Sequence, residues 1–300
     1  MRARSATVQV TVALLTIALA VAGCARAPKG GTLTPDLPPE MAAPSDESLA
    51  AWLDFPVTAV PRPVVLIGEL PRVEGFTTDE AKRASMQGTY ELATTLPATG
   101  PATVEAMLPD GKATVPVIDA AAAWEAIRTV PNTAQVDPAL APLKVTKVEL
   151  GTAEFGTDRG ALMLPAWNFT VVDGTGPISW PAMRPDLFWK LGAVPRSGGG
   201  FGATVSADGR SLVATMPAPP PEFCPGDRIY RYEAVVREGD TAVAVGLKTV
   251  DTGQVQPGER TGNCDYDLVL QTAPYPVSLS QPLGARVVVD TEGAPFAVTR

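Results

Sequence analysis

The chain has no histidine among its 300 residues, only 3 Cys, and few aromatics, 6% in all. Without an imidazole there is no Ser-His-Asp triad, no Cys-His dyad, no His-bearing zinc site and no histidine general base. Gly-x-Ser-x-Gly, Ser-x-x-Lys and Cys-x-x-Cys patterns are also missing, which removes the common acyl-transfer and dithiol chemistries. Basic groups are scarce: 24 Lys and Arg stand against 32 Asp and Glu, for a net charge of −8. That balance argues against nucleic acid, whose phosphates need a basic face. Gly198-Gly199-Gly200-Phe201-Gly202 is glycine-rich, but no strand–helix context or lysine follows it, so it is not a phosphate loop. No cofactor or metal site is expected.

What the chain does have begins at its first residues. Arg2 and Arg4 precede an apolar stretch, Val10 to Ala22, of about 13 residues. That length suits a signal-peptide core and is too short for a stable membrane span. The stretch ends in Leu19-Ala20-Val21-Ala22-Gly23-Cys24, which resembles the lipobox of bacterial lipoproteins. The resemblance implies cleavage before Cys24 and acylation of its thiol, with two or three acyl chains giving a stable anchor. The expected topology is a signal peptide over 1–23 and a lipid-anchored body on the outer face of the cytoplasmic membrane. Losing Arg2 and Arg4 makes that body two charges more acidic, so an anionic lipid surface repels it.

With Cys24 taken by lipid, Cys224 and Cys264 remain as an even pair in an oxidising compartment, and a disulfide between them is predicted. Residues 24–47 hold five prolines and few large apolar groups, so they read as a tether. As a flexible coil it reaches on the order of 25 Å.

The rest divides into an N-terminal α+β region, 48–135, and a β-rich region, 136–300. In the first, Ser45 or Ser48 caps a short helix through Leu49–Leu53, and Pro63–Gly68 reads as a buried strand. Pro109-Asp110-Gly111 joins two strands into a hairpin, and Asp119 caps an alanine-rich helix ending near Arg128. Residues 136–143 read as a linker. Beyond them, turns at 157–160, 207–210 and 238–240 each join two strands. Further strands are expected near 267–272, 285–290 and 296–299. In Arg228–Arg237, Tyr230, Tyr232, Ala234 and Val236 fall on one face. The predicted fold class is α+β and predominantly antiparallel β, ending in a sandwich or open barrel.

Several stretches add a second resemblance. Pro61–Leu66 with Gly75-Phe76, Arg159-Gly160 with Leu164–Phe169, and Pro282–Asp290 resemble segments of extracytoplasmic proteins of high-GC Gram-positive bacteria. The resemblance implies a cell-surface lipoprotein and transfers no catalytic residue.

Two clusters stand out as candidate binding surfaces. Trp167 could offer a stacking platform with Asp158 and Arg159 at its rim, although a Trp in an apolar strand is ordinarily core packing. The segment from Ser179 to Lys190 gathers Trp180, Arg184, Phe188 and Trp189, residue types that stack on sugars or grip a protein when exposed. The expected function is therefore a non-catalytic binding module for an envelope protein or polysaccharide. The alternative is a carboxylate-dependent envelope hydrolase, for which Asp265 and Asp267, at i and i+2 on one strand face, are one pair among many acids, although exposed strand-end acids near a disulfide are the ordinary reading.

Overall fold

Local signals set the first elements of the computed structural model, which describes residues 41–131, 137–195, 202–220, 223, 228–254 and 270–300. Ser45 caps α1 (Asp46–Ala50), its Oγ accepting from the Glu47 N–H at 3.2 Å. The short strands β1 (Leu66–Ile67) and β2 (Arg72–Val73) follow. Thr78 caps α2 (Asp79–Met86), which leads to β3 (Tyr90–Leu92). The Pro109-Asp110 turn joins β4 (Thr103–Leu108) to β5 (Gly111–Pro116) as expected, with Gly111 at φ +119°. Asp119 caps α3 (Ala120–Thr129) through the Ala122 N–H at 2.7 Å.

The long hairpin β6 (Leu143–Thr157) and β7 (Gly160–Val171) turns through Asp158-Arg159, and β8 (Ile178–Pro181) pairs back onto it. A single 3₁₀ turn, Pro185–Leu187, precedes β9 (Gly202–Val205) and β10 (Ser211–Pro217). The chain continues through β11 (Arg228–Glu238), β12 (Ala242–Gln254), β13 (Thr272–Ser278), β14 (Val287–Val289) and β15 (Ala297–Thr299).

The fold is α+β with predominantly antiparallel strands in several sheets, and none of the sheets closes among the described residues. The largest sheet runs β1-β6-β7-β8-β2, with β3 also on β6. Alternation along β7 explains its continuous apolar run. Trp167, Phe169 and Val171 face α2 and α3 on one side, while Leu164 and Ala166 face the β4–β5 hairpin on the other. In the C-terminal part, the sheet β13-β10-β9-β15 packs on β11-β12-β14 to form a sandwich. Leu212, Ala214 and Phe296 meet Val243, Val245 and Leu247 in its core. The outer face of β12 and β14 is covered in turn by Leu49, Trp52 and Phe55.

Strand pairing crosses the boundary expected at 135/136. β1, β2 and β3 come from the N-terminal region, yet they complete a sheet whose centre is β6 and β7. The described residues accordingly lie in one compact unit. Its ordered packing also begins before residue 48. Met41 packs on the sandwich core, and the Ala42 carbonyl and the Pro44 ring sit over Gly246.

Two local expectations change as well. Pro63–Gly68 is not one buried strand: only Leu66 and Ile67 pair with β6, whereas Val64 bridges in parallel to Phe188. β13 carries Pro274 and Pro276, and its sequence was not read as a strand beyond Thr272. Leu279 donates to the Arg210 carbonyl, which fixes the phase of this ladder and turns the nitrogens of residues 274 and 276 away from β10. At the sheet edge, proline there costs the ladder no hydrogen bond and blocks a further strand. On the Tyr230 face, Tyr232 and Ala234 pack on the sandwich core, whereas Val236 is exposed.

Candidate functional site

The aromatic residues singled out in the sequence do not share a surface. Trp167 is 2% exposed and its indole Nε1 donates to the Ile118 carbonyl at 2.9 Å, so it is core. Trp180 is buried in the same cluster. Phe188 is buried against the β4–β5 hairpin side, and Trp189 stacks on Trp52 at 6.4 Å with Phe55 edge-on at 5.2 Å. Lys190 lies over the Trp189 ring and donates to the Ala51 carbonyl. Arg184 alone of this segment's candidates is exposed, paired to Asp186. The segment binds the molecule to itself because its rings remove apolar area from water.

Arg159 stands apart from Trp167, in a cleft of about 430 Å³ that the sequence only partly announced. Two chain segments, Pro61–Leu66 and Pro282–Asp290, meet the Pro109-Asp110 and Asp158-Arg159 turns there, with Val298 and Arg300 beside them. The Asp158-Arg159 turn is locally built. Thr157 Oγ1 donates to the Gly160 carbonyl at 2.6 Å and accepts from the Arg159 N–H at 3.1 Å. Gly160, at φ +84°, supplies the left-handed backbone this two-residue loop requires. The Asp158 main chain is then stitched on both sides, its N–H to the Val65 carbonyl and its own carbonyl to the Val298 N–H, each at 3.1 Å.

Arg62 sits at the centre, with only 5% of its side chain exposed against 2% for Asp158. Its Nη2 donates to Asp158 Oδ2 at 2.6 Å, its Nε donates to the Ala285 carbonyl at 2.8 Å, and its guanidinium lies 4.5 Å over the Phe55 ring. Asp110, on the tip of the β4–β5 hairpin, accepts from the Arg62 N–H through Oδ2 and from Arg159 Nη1 through Oδ1, both at 3.1 Å. Burial first, and the Arg62 charge second, push the Arg159 guanidinium below its ordinary pKa. Arg286 is fully engaged, by Glu238 at 3.0 Å and by the carbonyls of Gly239, Gln281 and Pro282.

This pairing is monodentate where a bidentate fork is available, and it leaves both partners half-used. Among the described residues, Arg62 Nη1 and Asp158 Oδ1 are buried without a hydrogen-bond partner, and so is Arg159 Nε. Each such orphan costs about 1–3 kcal/mol in a folded protein until water or a ligand meets it.

A second groove, of about 790 Å³, runs between β2, α2 and α3. Leu70, Val73, Phe76 and Ile127 line it, with Lys82 at its rim. Glu69, Ser85 and Tyr90 line it as well, the last two hydrogen-bonded to each other at 3.3 Å. Among the described residues no group of His, Cys, Asp or Glu is arranged to hold a metal ion, and no helix is long and apolar enough to cross a membrane. Cys24, Cys224, Cys264, Asp265 and Asp267 lie outside the described residues.

Sequence reasoning missed Arg62, Asp110 and Arg286 as site residues. Their signals were the Pro-Arg-Pro, Pro-Asp-Gly and Gly-Ala-Arg stretches, each legible locally as a turn or strand lead-in. No family model, no curated protein and no solved structure matches the chain.

Proposed function

We propose that this protein is a lipid-anchored binding module of the cell envelope, held outside the cytoplasmic membrane through Cys24 and binding through the Arg62–Asp158–Arg159 cleft. The observation that carries the binding reading is that three residues lining one cleft each hold a buried polar atom without a partner among the described residues. The charged start, short apolar core and terminal cysteine of the first 24 residues support the anchor. The rigid scaffolding of the cleft by two turns and two chain segments suits recognition, which needs donors held in place before the ligand arrives.

The hydrolase reading keeps one supporting observation, that Asp110 and Asp158 line the same cleft. Both acids are committed, Asp158 to Arg62 and Asp110 to two donors, so neither carboxylate is left entire for proton transfer.

The experiment is co-sedimentation of the full-length protein with purified, protein-free envelope polymer. Retention lost in Arg159→Glu supports the cleft as the binding face. Absence of retention would overturn the binding reading, and release of new reducing ends from the polymer would favour the hydrolase. For the anchor, Cys24→Ala is expected to move the protein from the membrane fraction to the soluble one.

A further inference from the structure

We infer that the cleft between Arg62, Asp158 and Arg159 takes a hydroxyl-bearing saccharide, a ligand class that rests on the binding reading above. Four arginines line or border the cleft, which invites an anion, but the pairing speaks against one. Among the described residues, Arg62 is matched by Asp158, Arg159 by Asp110 and Arg286 by Glu238, leaving Arg300 as the lining cation outside these pairs. Each of these three guanidinium groups is held by a carboxylate within 3.1 Å, which lowers its pull on a further anion.

The unused groups are of both kinds. Arg62 Nη1 and Arg159 Nε are donors, and Asp158 Oδ1 is an acceptor. A carboxylate or phosphate brings acceptors only and would face Asp158 Oδ1 with like charge. An ammonium brings donors only and would face two guanidinium groups. A hydroxyl does both: it accepts from Arg62 Nη1 while donating to Asp158 Oδ1. A neighbouring hydroxyl on the same ring then accepts from Arg159 Nε. Adjacent hydroxyls of this kind are the recurring feature of sugars, and about 430 Å³ falls within the range that encloses small ligands.

All three orphaned atoms are closed to solvent in this arrangement, so a ligand reaches them only as the Arg159 side chain shifts. That side chain is 18% exposed, the most open of the three, and beyond the Asp110 pair its guanidinium makes only a 3.5 Å contact with the Arg62 carbonyl. Arg62 is held on three sides. Its contact with Phe55, which packs against both Trp52 and Trp189, gives the cleft an intrinsic fluorescence reporter.

The test is titration of the full-length protein, in a sugar-free detergent, with maltotriose, cellotriose and mannotriose, reading tryptophan fluorescence. Sodium acetate and sodium phosphate form the parallel arms. A saturable response to at least one trisaccharide is expected. Arg159→Lys keeps the charge but removes Nε, and is expected to weaken that response about tenfold or more with an unchanged melting temperature. Asp158→Asn is the second variant, with its fold checked by circular dichroism. A response to acetate or phosphate and to no sugar would overturn the inference in favour of an oxyanion. Silence in every arm would overturn it in favour of an ordered water only, and a sugar response indifferent to both variants would place binding elsewhere. Polymer retention that persists beside any of these failures leaves the binding reading standing with a different ligand class.

Discussion

Trp52 donates its indole N–H to the carbonyl of Gly293 at 2.8 Å, closing the first helical segment onto a turn 241 residues away. The contact is wholly buried, and Ser48 Oγ donates to the Thr291 carbonyl beside it at 2.7 Å. Together they fasten the N-terminal segment over the outer face of the β12–β14 sheet. Trp52→Phe retains the ring but leaves the Gly293 carbonyl unpaired, and is expected to cost about 1–3 kcal/mol. Trp52→Ala is expected to cost about 3–5 kcal/mol. Urea unfolding followed by circular dichroism checks both; equal midpoints for wild type and Trp52→Ala would contradict this role.

Arg62 and Asp158 form a buried pair, and breaking one side is worse than replacing both. Arg62→Met leaves Asp158 with an uncompensated charge and is expected to destabilise by about 3–5 kcal/mol. The double variant Arg62→Met with Asp158→Leu is expected to recover a substantial part of that loss. A double-mutant cycle on denaturant midpoints measures the coupling, and strict additivity would contradict it.

Gly246 lies under the chain that enters the body. A Cβ there would stand 2.6 Å from Thr291 Cγ2, 2.9 Å from the Ala42 carbonyl and 3.0 Å from Pro44 Cδ. Gly246→Ala is therefore expected to lift residues 42–44, costing about 1–3 kcal/mol. Limited proteolysis reads this directly, as faster cleavage near residue 44 with the sandwich intact.

Tyr232 packs against the sandwich core, and its pKa is pushed up to about 12, by burial first and by the neighbouring Tyr230 second. The unfolded chain titrates near 10, so the folded state holds the phenol proton longer. This contribution to stability is complete below about pH 10 and is lost as pH rises toward 12. Absorbance titration near 295 nm should show a late-ionising tyrosine, and Tyr232→Phe should remove it.

Cys224 and Cys264 are 40 positions apart, and the simple loop model gives their predicted disulfide roughly 4 kcal/mol. Non-reducing peptide mapping should recover them as one linked species. Free thiols at both positions would refute the pairing.

The helix at Ala120–Thr129 and the hairpins at 109–110, 158–159 and 238–241 were legible because each rests on neighbours in sequence: a capping aspartate, a glycine at positive φ, alternating side chains. The amphipathic mix of the 179–190 segment was equally visible, but not its direction. Whether Trp180 faces solvent or core depends on which sheet face the helices cover, and that is settled by partners more than fifty residues away.

The scarce residues set firm limits from the sequence alone. An absent histidine excludes imidazole chemistry in any fold, and the proposed address, a charged start with a short apolar run ending in Cys24, is read from two dozen adjoining residues. Tertiary structure alone decided that Pro274 and Pro276 lie on an edge, that β1 to β3 belong with β6 to β8, and that Arg62, Asp110 and Asp158 share one cleft. The physical reason is range. Capping and turn chemistry act within a few residues, whereas a buried charge finds its partner only when sheets have packed, and sequence spacing carries no trace of that distance.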